Sequence, residues 1–234
     1  MSIKIKWLLR AMGLMTVAIS VAVMSADHAE SPGADADPAA DLADVFIFPS
    51  PETPATKMVG AITFGGRPAP RSRIDGSFYC DRNVLYTLNI DRADAGGAFD
   101  NIPDIQVFVR FARNDFGSCG VQLVNLPGAG GTFSGPVGSV FASGSGMRVF
   151  AGLNNDTFFF DGEGYAALVA SFAAAGQSGD VVGAFGLGTR PRRDSFANRN
   201  VSTVVFEMDL DAISPLVGGA RASIRVWGVT GRSL

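Results

Sequence analysis

His28 is the single histidine of the chain. It sits in ADHAESPGADADPAADLADVFIF, Ala26 to Phe48, beside Asp27, Glu30, Asp35, Asp37, Asp41 and Asp44. An imidazole among carboxylates can ligate a metal, carry a proton or form an ion pair. A hard cation such as Ca2+ gathers several oxygen ligands, and oxygen-bearing side chains recur in three further places. The stretch DRADAGGAFDNIPD, Asp91 to Asp104, offers Asp94, Asp100 and Asp104. Aligned as an EF-type loop from Asp91, it puts Ala93, Ala95 and Ile102 on ligand positions, so it reads as an acidic hairpin loop. The stretch GLNNDTFFFDGEG, Gly152 to Gly164, sets Asn154, Asn155, Asp156 and Asp161 around Phe158, Phe159 and Phe160. RRDSFANRNVS, Arg192 to Ser202, supplies Asp194, Asn198 and Asn200. Ca2+ is the cofactor that such oxygen ligands would select. Asn154, Asn155, Phe158 and Asn200 form a candidate binding surface.

The inventory is poor for catalysis. A Ser-His-Asp triad needs a histidine base, and G-x-S-x-G is absent from the sequence. C-x-x-C-H, which attaches c-type haem, is also missing. One histidine and two distant cysteines cannot furnish a closed zinc site. Haem carried in a sandwich pocket on a Met or His ligand is a separate alternative. Cys80 and Cys119 are the only cysteines. In an oxidising compartment they are expected to pair, closing a loop of about 40 residues worth about 4 kcal/mol in the chain-entropy model.

The N-terminus points to that compartment. Lys4, Lys6 and Arg10 precede the apolar run AMGLMTVAISVAVM, Ala11 to Met24, and small residues follow. This is the pattern of a signal peptide, residues 1–26, cleaved after Ala26 or after Ala22. The run is too short for an ordinary membrane span, so no stable span is expected after cleavage, and the destination is periplasmic or extracellular. The leader holds three basic residues and no acidic ones, so its removal makes the formal charge of −3 three units more negative. Such a balance argues against nucleic-acid partners.

The elements that must position these residues read as strands. Val84, Tyr86, Leu88 and Ile90 alternate along one face, as do Ile105, Val107, Val109 and Phe111. Val204, Phe206, Met208 and Leu210 do the same, opposite Thr203 and Glu207. Period-two alternation is the mark of half-buried antiparallel strands. Residues 44–48, 59–64, 121–124, 147–150 and 224–229 add shorter strands. YAALVASFAAA, Tyr165 to Ala175, reads as a helix. PGAGGTFSGPVGSVFASGSG, Pro127 to Gly146, reads as a long surface loop. The fold expected for residues 27–234 is all-β: one mainly antiparallel β-sandwich domain with an inserted helix and long Gly-rich loops.

The ordered blocks DHAESP, DPAADLADVFIFPSP, DRNVLYTLNID, VFAGLNNDTFFFD, RDSFANRNV and IRVWGVT resemble a family of exported bacterial proteins with a domain of unknown function (DUF4331-like). The resemblance spans nearly all of the exported chain. It places His28, Glu30, Asp44, Asp156, Asp161, Asp194 and Asn200 on family-like positions, and so implies His28, Glu30, Asp44, Asp156, Asp161 and Asp194 as the candidate cation ligands. Departures are Val45-Phe46 near the usual aromatic, Asn154-Asn155 in place of an Arg-Asp pair, and Asn198 where Gly is usual. The functional expectation is a non-catalytic binding or envelope-associated protein, with a small-molecule, glycan or envelope partner and a bound cation. The alternative is a metal-dependent, hydrolase-like enzyme using His28 and nearby carboxylates.

Overall fold

A computed structural model describes residues 33, 36–65, 78–175, 179–187, 191 and 193–233. The expected signal peptide, residues 1–26, lies outside the described residues, as do His28 and Glu30. Two compact units are distinguished: Asp27–Asp156 with Asn198–Leu234, and a smaller one comprising Thr157–Ala197.

The larger unit is an antiparallel β-sandwich. Its strands are β1 (Leu42–Pro49), β2 (Lys57–Phe64), β3 (Val84–Arg92), β4 (Ile105–Arg113), β5 (Cys119–Val124), β6 (Thr132–Pro136), β7 (Val140–Ala142), β8 (Arg148–Asn155), β9 (Asn200–Asp209), β10 (Leu216–Val217), β11 (Ala220–Arg221) and β12 (Ile224–Arg232). One sheet runs β1-β2-β9-β8-β7 and the other β12-β3-β4-β5-β6, with β10-β11 a separate hairpin. The alternating residues face inward as their pattern requires. Val84, Tyr86, Leu88, Ile90, Val107, Val109 and Phe111 meet Ile62, Phe64, Val204, Phe206 and Met208 in one core. Burying each such side chain contributes about 1.5–3 kcal/mol. Phe64, Phe78, Tyr86 and Phe111 form an aromatic knot, with ring centroids 4.3 to 5.7 Å apart.

Cys80 and Cys119 are disulfide-bonded, their Cα atoms 6.1 Å apart. The bond fastens the entry to β3 onto the start of β5. Next to it, the Tyr79 amide donates to Ser202 Oγ of β9 at 3.0 Å, which ties the same segment to the opposite sheet.

The stretch 127–146, expected to be a long loop, instead contains β6 and β7, the edge strands of the two sheets. Gly135 of β6 lies so close to Phe141 of β7 that a Cβ there would come within 2.4 Å of the ring. Phe133 and Phe141 pack edge to face beside it. At the other border of the sandwich, Gly228 of β12 leaves room for Leu42 and Val45 of β1. Both borders are thus folded over, the edge of one sheet lying on the edge of the other.

The segment 37–41, part of the acidic stretch around His28, is pinned. Arg232 holds Asp37 at 2.5 Å and Asp81 at 2.9 Å. Tyr86 Oη donates to the Ala39 carbonyl, and Thr230 Oγ1 donates to the Ala40 carbonyl at 2.8 Å.

The smaller unit holds α1 (Gly162–Ala175) and α2 (Val181–Phe185), and α3 (Leu210–Ile213) follows β9 in the larger one. The sequence indicated only the helix from Tyr165. Its true start is set by Asp161, whose Oδ1 accepts from the Gly164 amide at 2.8 Å, the bond an N-cap makes. Among the described residues no helix is long and apolar enough to cross a membrane.

Candidate functional site

Strands β8 and β9 pair antiparallel with Asn155 opposite Asn200 and Asn154 opposite Val201. This register brings three of the four expected binding residues to one end of the pair. Leu153, Asn154, Asn155 and Asn200 line an open depression of about 250 Å³. Asn154 and Asn155 are exposed while Asn200 is buried. Beyond the depression the chains stay joined, the Asp156 amide donating to the Arg199 carbonyl at 2.9 Å. Each carboxamide offers two donor hydrogens and an acceptor oxygen and no charge. Such a surface can recognise hydroxyls or amides but supplies no general base.

Phe158, the fourth expected residue, belongs to the smaller unit. It packs edge to face on Phe196, centroids 5.2 Å apart, and stacks with Phe160 at 6.1 Å. Phe159, between them, is 55% exposed. Three consecutive aromatics thus divide between a half-buried cluster and the surface.

Of the six expected cation ligands, Asp44, Asp156, Asp161 and Asp194 lie among the described residues. Asp44 on β1 accepts from Thr63 Oγ1 of β2 at 3.3 Å. Asp161 caps α1 and meets the Arg193 guanidinium at 3.2 Å. Asp194 Oδ1 accepts from the Phe196 amide at 2.9 Å and the Phe160 amide at 3.5 Å, holding a turn. Asp156 follows β8 directly. Among the described residues no three His, Cys, Asp or Glu side chains stand together as a metal site requires.

The loop 91–104 is the acidic hairpin its spacing suggested. Asp94 Oδ1 accepts from the Gly96 and Ala98 amides at 2.8 and 2.9 Å. Asp100 accepts from Ile102, Asp91 from Asn101, and Asp104 from Arg92. These carboxylates close the loop on itself, the usual turn-forming role of Asp.

One charged cluster escaped the sequence reading. Glu207 of β9 is 4% exposed. Its Oε1 lies 2.5 Å from Arg148 Nη2 of β8, and its Oε2 lies 2.9 Å from Lys57 Nζ of β2. Arg148 also donates its backbone amide to Glu207 at 3.1 Å and reaches Glu52 at 2.9 Å. The Arg148 hydrogen bond, with Lys57 adding to it against the cost of burial, holds the Glu207 carboxyl down at about 2. It is ionised at neutral pH and braces three strands rather than exchanging protons. Period two had placed Glu207 on the outer face. Its partners Arg148 and Lys57 lie 59 and 150 positions away in the sequence and depend on register.

No protein-family model, curated protein or solved structure matches this chain.

Proposed function

We propose that the protein is an exported, non-catalytic binding protein of the periplasm or the extracellular space, which takes a neutral, hydroxyl- or amide-rich ligand such as a glycan. The observation that carries this reading is the convergence of Asn154, Asn155 and Asn200 on one depression at the end of β8 and β9. Carboxamides on paired strands are well placed for hydroxyl recognition, since rigid elements hold their hydrogen-bonding groups in fixed positions. Export is supported by the basic-then-apolar N-terminus and by a disulfide of the kind that persists outside the cytoplasm. The order of the blocks is the reason for placing the chain with the DUF4331-like exported proteins.

The test is a glycan array of neutral envelope oligosaccharides probed with the full chain and with Asn154→Ala/Asn155→Ala. Each lost hydrogen bond weakens binding by about 1 kcal/mol, so the double variant should bind at least tenfold more weakly with an unchanged melting temperature. Binding that is indifferent to the double substitution, or hydrolysis of a substrate on adding a divalent metal, overturns the proposal.

A further inference from the structure

A second surface lies on the outer face of the other sheet and has the opposite chemistry. Register places Arg110 of β4 opposite Gln122 of β5, and Gln122 opposite Ser134 of β6. Arg110 Nε donates to Gln122 Oε1 at 2.7 Å, and Gln122 Nε2 donates to Ser134 Oγ at 3.2 Å. This ladder ties the guanidinium to the neighbouring strand. Two residues further along, Ala112 faces Gly120, and their small size leaves a hollow. Arg82, Arg110 and Arg113 stand around it, enclosing about 540 Å³. A second hollow of about 470 Å³ shares Ala112, Arg113, Gly120 and Ser134 and extends to Asn114 and Ser118.

The result is a furrow running at least from Arg110 to Asn114, about 13 Å along an extended strand. Among the described residues no Asp or Glu lines either hollow, although the chain as a whole is acidic. Asp81, the neighbour of Arg82, is engaged by Arg232. Three guanidiniums around an open furrow favour oxyanions, which arginine binds through paired N–H donors. The length suits a chain carrying several anions better than a single phosphate or sulfate.

The furrow ends at the turn between β4 and β5, where Phe116 is 94% exposed. The backbone of that turn is held in place: Asn114 Oδ1 accepts from the Phe116 and Ser118 amides at 3.1 and 2.9 Å, and Arg113 Nη1 donates to the Gly117 carbonyl at 2.7 Å. An exposed aromatic on a fixed turn gives a sugar ring a flat apolar face. Asp115 shares the tip with Phe116 and would have to enter a bilayer with it, which disfavours a lipid surface.

We infer that this furrow binds an acidic polysaccharide, its carboxylates or sulfates held by Arg82, Arg110 and Arg113 and one sugar stacked on Phe116. The site lies on a different sheet from the Asn154–Asn200 depression, so either proposal can fail alone. Affinity electrophoresis of the full chain in gels containing polygalacturonate, dextran sulfate or neutral dextran tests it. At least one of the two polyanions should retard the protein while neutral dextran does not, and retardation should fall steeply between 50 and 200 mM salt, as screened electrostatic binding does. Arg110→Gln/Arg113→Gln should weaken it at least tenfold. Arg82→Gln, which leaves the ladder untouched, should weaken it at least threefold. Retardation by neither polyanion, retardation unchanged in both arginine variants, or binding to phosphatidylglycerol vesicles alone overturns the inference.

Discussion

Glu207 shows how a single side chain can be misread by its position. It alternates with Val204, Phe206 and Met208 as an outward polar residue, yet it is nearly buried and braced by Lys57 and Arg148. Because its carboxyl is lowered from 4.5 to about 2, it contributes stability that is fully present above 4.5 and is lost as pH falls through about 2. Chemical denaturation at a series of pH values should therefore show stability declining across that window. Glu207→Gln should cost about 2–3 kcal/mol at neutral pH and flatten the decline. Asn198 offers a simpler lesson. Its φ of 66° lies in the left-handed region, which Asn enters more readily than other residues with a Cβ. The carboxylates of the opening stretch were visible in the sequence. Their partner was not, because Arg232 reaches Asp37 from the far end of the chain.

At the scale of elements, every strand with strong alternation was legible: the patterns at 84–90, 105–111 and 204–210 became β3, β4 and β9 with their apolar faces buried, except that β9 ends at Asp209 and Leu210 opens α3. Strands β6 and β7 were not. Each is short and carries one aromatic, Phe133 in β6 and Phe141 in β7, which leaves too few apolar residues for a period to emerge. Gly135 is the sensitive point of that arrangement. Gly135→Val would drive a side chain into the Phe141 ring and should destabilise the protein by about 1–3 kcal/mol. Hydrogen exchange should show the loss concentrated in β6 and β7, with protection of β3 and β4 retained. The Asn155–Asn200 pairing was half visible: both stretches were marked as oxygen-rich, but only the β8–β9 register brings them together. The Arg82–Arg110–Arg113 furrow gave no signal at all, because its three arginines are separated in sequence and its floor is defined by two small residues.

For the molecule as a whole, the cysteine spacing foretold the one covalent link, and the disulfide joins the two segments it was expected to join. Cys80→Ser/Cys119→Ser should lower unfolding stability by about 4 kcal/mol, measured by urea denaturation, while far-ultraviolet circular dichroism of the folded state stays unchanged. Sheet order was beyond reach of local pattern, since β2 and β9 are neighbours across more than half the chain. The last strand, β12, has the longest reach of all. It covers β3, lies beside β1, and carries both Thr230 and Arg232, which secure the segment 37–41. A product ending before Ile224 would thus leave the beginning of the domain unlatched and β3 with a bare edge, however well the intervening residues had been made. Completion of synthesis is built into the architecture as a condition for closure, and an unfinished copy would present itself to proteases as an open sheet.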